Sequence, residues 1–248
     1  MTFSGVTMIA AAILLGLALE ERGRRRLLML AAAILPGAAT LLTFTRGAYL
    51  GLLAGAIAVL ALRRPRGLLL LPAVVAAILL LSPANLRERI VSISTLQDAT
   101  SRERVAMARA GRAMIADTPW LGVGPERVAA VYPRYRVPEA IESEIAHLHN
   151  NVLQVAAELG IPAAAAYLAF LGVTLWAAAA RLRGCPRGDP AAGPLSAALL
   201  VGTAVAVGGV FEYNLGDAEV LVPTLLAVAV PFALGARFTG SGEGAPRA

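Results

Sequence analysis

The sequence predicts an all-α, polytopic membrane protein with about seven transmembrane helices and one long, helical, extracytoplasmic loop between spans four and five. Three observations carry that expectation. The 248 residues are 58% hydrophobic with a mean hydropathy of +0.70, above the roughly 45–50% apolar content of soluble domains. Apolar runs of about 17–20 residues recur, long enough as helices to cross ~30 Å of hydrocarbon. These runs lack the two-residue alternation of a transmembrane barrel.

The expected spans, in order, are Phe3–Leu19, Leu27–Phe44, Ala48–Leu62, Leu68–Leu81, Ile161–Ala180, Leu195–Phe211 and Val220–Ala236. They divide the chain into membrane helices over 1–82, an external segment with short helices over 83–151, membrane helices with a returning helix over 152–236, and a disordered tail over 237–248. Small residues such as Gly51, Ala54, Gly55 and Ala58 suit close helix packing in lipid. The first run has no basic segment before it and no small-residue cleavage pattern after it, so it reads as a span rather than a signal peptide.

Charge orients the spans. The formal net charge is +6, and all 22 basic residues are arginine. They gather at the ends of apolar runs, a pattern of membrane orientation rather than nucleic-acid binding. Glu20–Arg26 carries four arginines, Arg63–Gly67 three and Arg181–Gly188 three. The positive-inside rule puts these connections in the cytoplasm, and Thr43–Gly47, Ser82–Asn151 and Phe211–Glu219 outside. The N-terminus is then expected outside, which suggests further spans ahead of Met1 or a partner that supplies them. The single Cys185 excludes an intrachain disulfide and a thiolate metal cage.

The long external segment holds most of the candidate chemistry. Thr100-Ser101 can cap a helix from about Arg102 to Ala116. On that helix Arg104, Met107, Ala108, Gly111 and Ile115 share one face, whereas Arg102, Arg109 and Arg112 point elsewhere. A charge on a packed face costs several kcal/mol unless paired, so Arg104 needs an anionic partner. That partner is either an acid of the same loop or an anionic substrate.

Asp117-Thr118-Pro119 ends the helix. Gly122 and Gly124 in Leu121-Gly-Val-Gly-Pro125 read as a tight turn or as a short phosphate cradle. Tyr132-Pro-Arg-Tyr-Arg136 reads as a sugar- or headgroup-docking stretch, or as a surface loop.

His147 and His149 are the only two histidines, and His149 precedes Asn150-Asn151, good caps for a helix over Val152–Leu159. An imidazole titrates near neutral pH and can accept a proton there. No further ligand stands at metal spacing, so neither a metal nor another cofactor is expected. Arg46, between two apolar runs, is either functional or snorkelling to headgroups. Glu212 and Asp217 in Phe211–Glu219 place acids on the same side of the membrane. They can pair with arginines or bind acceptor hydroxyls.

Together these segments resemble the O-antigen ligase / O-antigen polymerase family of bacterial envelope proteins. The matching pieces, in family order, are Thr45-Arg-Gly47, Arg104 ahead of Met114-Ile115, Asp117-Thr-Pro-Trp-Leu-Gly-Val-Gly124 and Tyr132-Pro-Arg-Tyr135. His149-Asn-Asn-Val-Leu-Gln154, Glu158-Leu-Gly-Ile161 and Phe211-Glu-Tyr-Asn-Leu-Gly-Asp-Ala-Glu219 complete the series. The resemblance covers about Leu41 to Ala236 and looks like the C-terminal portion of the family's membrane domain. Ala108 departs from it, where a tryptophan is frequent.

The resemblance implies metal-independent, inverting glycosyl transfer from a polyprenyl-diphosphate-linked glycan to an acceptor hydroxyl, at the outer face of the inner (cytoplasmic) membrane. Arg46 and Arg104 would hold the donor diphosphate, and His149 would be the base. His147, Gly122, Gly124, Asn150, Glu212 and Asp217 would line the substrates. The acceptor would be lipid A–core, another lipid-linked chain (a polymerase) or a protein side chain (an oligosaccharyltransferase). The expected partners are the donor, a lipid or glycan acceptor and membrane lipids, with no nucleic acid. Two other readings stand beside this one: a transporter with arginines along a polar path, and a non-catalytic, truncated membrane protein.

Overall fold

A computed structural model describes residues 2–81 and 99–239, and every regular element among them is helical. α1 (Thr2–Glu20), α2 (Gly23–Leu42) and α3 (Arg46–Arg63) follow one another through short turns. A 3-10 segment (Pro65–Leu70) leads into α4 (Leu71–Leu81). Beyond the gap come α5 (Ala99–Asp117), α6 (Val128–Tyr135) and α7 (Asn151–Leu159). α8 (Ile161–Gly184), α9 (Ala192–Gly208) and α10 (Ala218–Thr239) complete the bundle.

A helix coincides with each of the seven expected spans. Four of them, α1, α2, α3 and α8, are long and apolar enough to cross a membrane by length and composition. The helices at the fourth, sixth and seventh spans are shorter in their apolar part: Pro65–Leu81, Ala192–Gly208 and Ala218–Leu234. α4 itself has 11 residues, about 16 Å of helix and half the hydrocarbon thickness. The tail expected from residue 237 begins as helix, because α10 runs to Thr239. The rest of that tail, and the first part of the external segment over 82–98, lie outside the described residues.

α9 is the central helix, packed by α1, α3, α8 and α10. Glycines on its neighbours let backbones meet. A Cβ at Gly16 would lie 2.4 Å from the Ala197 Cα, and one at Gly51 would lie 2.5 Å from the Ala204 carbonyl oxygen. Gly55 repeats the contact one turn on, against Leu200. Dispersion between closely approaching backbones is what holds helices together where lipid surrounds them. Met8, Val59, Leu199 and Val205 fill the space around this seam.

The far end of the bundle is tied by a buried ion pair. Arg63 forks onto Glu20 through Nε (3.0 Å) and NH2 (2.9 Å) and donates NH1 to the carbonyls of Leu182 and Cys185. Ser196 adds a hydroxyl to the Glu20 carboxylate at 3.2 Å. The pair thereby joins the ends of α1, α3 and α8 to the start of α9.

A second, smaller core lies in the segment between α4 and α8. Met107, Met114, Val128, Tyr132, Leu148 and Ala157 form it. Tyr132 is fully buried there on α6, so it is neither a docking aromatic nor part of a surface loop. Pro133 is accommodated within those eight residues.

Candidate active site

α5 is already helical at Ala99, so Thr100 and Ser101 lie inside it rather than capping it. Its buried face is Glu103, Ala106, Met107, Ala110, Gly111 and Met114. That face is centred one residue away from the expected stripe, and Arg104 sits at its edge. Arg102, Arg109 and Arg112 are exposed, as their positions on the helix predict. Asp117 is the last residue of the helix, in agreement with the proline that follows.

The His147–Asn151 stretch is held from three sides. Asn150 caps α7, its side-chain oxygen accepting from Leu153 N–H at 2.8 Å, and its amide donates to the Val210 carbonyl at 2.9 Å. Asn151, almost fully buried, donates its backbone N–H to Gly209 and accepts the Asn214 N–H, at 2.7 and 2.8 Å. Gln154 accepts the Leu148 N–H at 2.8 Å. These bonds lash the start of α7 to the turn after α9. A Cβ at Gly209 would stand 2.2 Å from the Asn151 amide nitrogen, so only glycine permits this approach.

The same turn meets the start of α3. A Cβ at Gly47 would lie 2.9 Å from the Phe211 Cβ, which accounts for the small residue after Arg46. Glu212 is thereby carried into a position between α3, α5 and the His149 loop. One of its carboxylate oxygens pairs with Arg104 NH2, and the other lies 3.0 Å from His149 Nδ1. Glu212 is almost wholly buried, whereas Arg104 and His149 keep 25% and 21% of their side-chain surface exposed. Among the described residues the acid paired with Arg104 is therefore Glu212, supplied by the turn after α9.

His149 adopts φ +51°, a left-handed backbone that a non-glycine residue holds only when its surroundings impose it. Here they are the Gln154 and Asn150 bonds on either side. His147 packs edge-on against His149, with ring centroids 4.3 Å apart, and lies 5.6 Å from the Tyr213 ring. Burial lowers its pKa, and the neighbouring His149 adds to that effect; Glu212 and Asp217 oppose it.

Arg104 separates two clefts of about 400 Å³ each. The first is lined by Arg46, Arg104, Glu212, Thr43, Thr45 and Ser4. Arg46 is buried at the start of α3, with NH1 3.4 Å from the Ser101 hydroxyl. The second is lined by Arg104, His149, Glu103, Glu142, Glu144 and Met107, among others. Glu103 was not singled out from the sequence. It is buried, and its Oε2 accepts the Ile141 N–H at 2.6 Å, so it pins the wall of this second cleft.

The remaining sequence candidates lie outside both clefts. Val123 and Gly124 donate their N–H groups to the carbonyls of Ala157 and Glu158 (2.8 and 3.0 Å). At Gly122, φ +66°, a Cβ would lie 2.3 Å from the Glu158 carbonyl carbon. These glycines serve the packing of the 119–124 segment against the end of α7. Asp217 immediately precedes α10 and accepts the Thr2 hydroxyl at 2.9 Å.

A family description, O-Antigen ligase, matches residues 31–168. The chain belongs to the O-antigen ligase family. The matched region runs from α2 into α8 and includes Arg46, Arg104, His147 and His149; Glu212 lies beyond it. A search of curated proteins gives no match. Membership, with the apolar helices, makes this a membrane protein of polysaccharide assembly and suggests enzymatic glycan transfer.

Proposed function

We propose that the chain carries the site of an inverting, metal-independent glycosyl transfer from a polyprenyl-diphosphate-linked glycan to an acceptor hydroxyl, in the manner of an O-antigen ligase. The observation that carries this reading is the Arg104–Glu212–His149 relay on the ridge between two clefts. The cleft holding Arg46 and Arg104 suits the donor diphosphate. Arg104 uses one nitrogen on Glu212, and a guanidinium has five N–H donors, so charge-assisted bonds to phosphate oxygens are still open to it.

The neighbouring cleft suits the acceptor. With Nδ1 donating to Glu212, His149 keeps Nε2 as its basic nitrogen. The base takes the acceptor hydroxyl proton while that oxygen attacks the anomeric carbon. The bond from that carbon to the diphosphate oxygen breaks, and polyprenyl diphosphate leaves with the electron pair. The cations beside it stabilise its charge, and the anomeric configuration inverts.

In this reading all seven apolar helices belong to the membrane domain, in the cytoplasmic membrane. The external segment 83–151 and the 209–217 turn then stand on the outer face, where the lipid-linked donor is delivered. The test is transfer of a polyprenyl-diphosphate glycan to lipid A–core in proteoliposomes. The expected product has the inverted anomeric linkage. A retained linkage, or a product formed only from a nucleotide sugar, would contradict the proposal.

A further inference from the structure

A larger cleft, of about 940 Å³, lies at the opposite end of α3 from Arg46. Eighteen residues of helix at 1.5 Å each put the two ends about 27 Å apart, so this cleft is not part of the site above. Its floor is apolar, with Leu15, Leu30, Leu60, Leu70 and Val74 among the lining residues. Arg26, Arg64, Arg66 and Arg187 also line it, and among the described residues no acidic one does.

The acid bound by Arg63 is already committed. Glu20 is held by Arg63 through both carboxylate oxygens and by the Ser196 hydroxyl. Arg187 lends one nitrogen to the Arg63 carbonyl at 3.0 Å. Among the described residues, Arg26, Arg64 and Arg66 form no salt bridge. Guanidiniums converging on one cleft repel each other unless an anion lies among them. Free phosphate would satisfy the charges and leave the leucine floor unused. A ligand with an anionic head and an acyl tail uses both.

We propose that this cleft is a binding site for one anionic phospholipid. Its phosphate sits among Arg26, Arg64, Arg66 and Arg187, and an acyl chain lies along the leucines between α2 and α3. The site secures the 3-10 segment and α4 against α3, where protein contacts alone are sparse: Leu69, Leu70, Leu80 and Leu81 are all exposed. Arginine near a membrane surface favours anionic lipid by roughly fivefold per residue.

The experiment titrates the purified full chain, in detergent, with dioleoyl-phosphatidylglycerol or dioleoyl-phosphatidylcholine. Native mass spectrometry reads retained lipid, and circular dichroism verifies the helical fold of each variant. The expected result is selective retention of phosphatidylglycerol. Arg64→Gln with Arg66→Gln should lose at least about tenfold in affinity, from roughly fivefold per arginine. Leu30→Trp, which fills the floor, should lose retention with every arginine intact. Arg22→Gln with Arg183→Gln, outside the cleft, should bind as wild type. Equal retention of both lipids, or equal losses from cleft and control pairs, overturns the proposal. So does displacement of the lipid by an equal concentration of glycerol phosphate, which would mark a headgroup-only site.

Discussion

Glu212 Oε2 lies 3.0 Å from His149 Nδ1, in a carboxylate whose other oxygen is bound to Arg104. One buried acid thus orients the histidine of one cleft and the arginine shared by both. Glu212→Gln keeps the shape and removes the charge. It should lower kcat by roughly tenfold or more, short of the loss of the base itself, which is about 10²–10⁴-fold. Wild-type kcat in steady-state transfer by Glu212→Gln would refute the orienting role.

Arg104→Ala should raise the donor KM far more than Arg109→Ala or Arg112→Ala. Arg109 faces Glu139 at 3.9 Å with both side chains largely exposed, a pairing worth little. Arg104→Lys should recover only part of the function, since an ammonium lacks the planar fork that meets both Glu212 and a phosphate. Equal effects at all three positions, at matched protein level, would indicate general surface charge.

His147 gives a pH dependence of stability. Burial holds its pKa below the usual 6.5, against the opposing pull of Glu212 and Asp217. Protons are then bound more readily by the unfolded chain than by the folded one. Stability should therefore be fully present above about pH 6.5 and should decline as pH falls from there towards the lower folded pKa. His147→Gln should flatten that part of the curve. Thermal unfolding between pH 7.5 and 5.5 measures it, and an unchanged slope in the variant would contradict the assignment.

Gly122→Ala separates packing from phosphate binding. A Cβ there meets the Glu158 backbone at 2.3 Å from a left-handed φ, so stability should fall by more than ~1 kcal/mol. The donor KM of the folded fraction should stay as in wild type. A raised donor KM with unchanged stability would restore the phosphate-cradle reading.

Much of the helical framework was legible in the sequence, because caps and breakers act locally. Asp117-Thr118-Pro119 and Asn150 mark helix ends that the fold uses. The requirement that Arg104 have an anionic partner followed from its charge and periodicity. The partner's identity did not, because Glu212 is 108 residues away and arrives only through the glycine-mediated contacts of the 208–211 turn. The face of α5 was misjudged by one residue, since Met107 and Gly111 fit either stripe. Glu103 was consequently overlooked. The Glu20–Arg63 pair was read only as an orientation signal. Its burial depends on α1 and α3 ending at the same level, which no local pattern encodes.

That pair gives a further expectation. Arg63→Ala leaves Glu20 buried and uncompensated, which should cost about 3–5 kcal/mol. Replacing Glu20 and Arg63 together by Gln and Met should cost less than the sum of the single changes. Denaturation in detergent checks both, and additive losses would show that the two side chains act independently.

The membrane orientation is testable at single positions in a Cys185→Ser background. Cysteines at Arg22, Arg64 and Arg183 should be shielded from an impermeant thiol reagent in intact spheroplasts, and cysteines at Glu142 and Asp217 labelled. Labelling at position 64 would invert the topology; Ser94, also expected outside, lies beyond the described residues.

The central claim is that His149 is the base for glycan transfer, and His149→Ala tests it most directly. Transfer from a polyprenyl-diphosphate glycan in proteoliposomes should fall by roughly 10²–10⁴-fold, with helical content and membrane insertion unchanged. His147→Ala should lose much less. A His149→Ala protein that retains most of the wild-type rate would contradict the account.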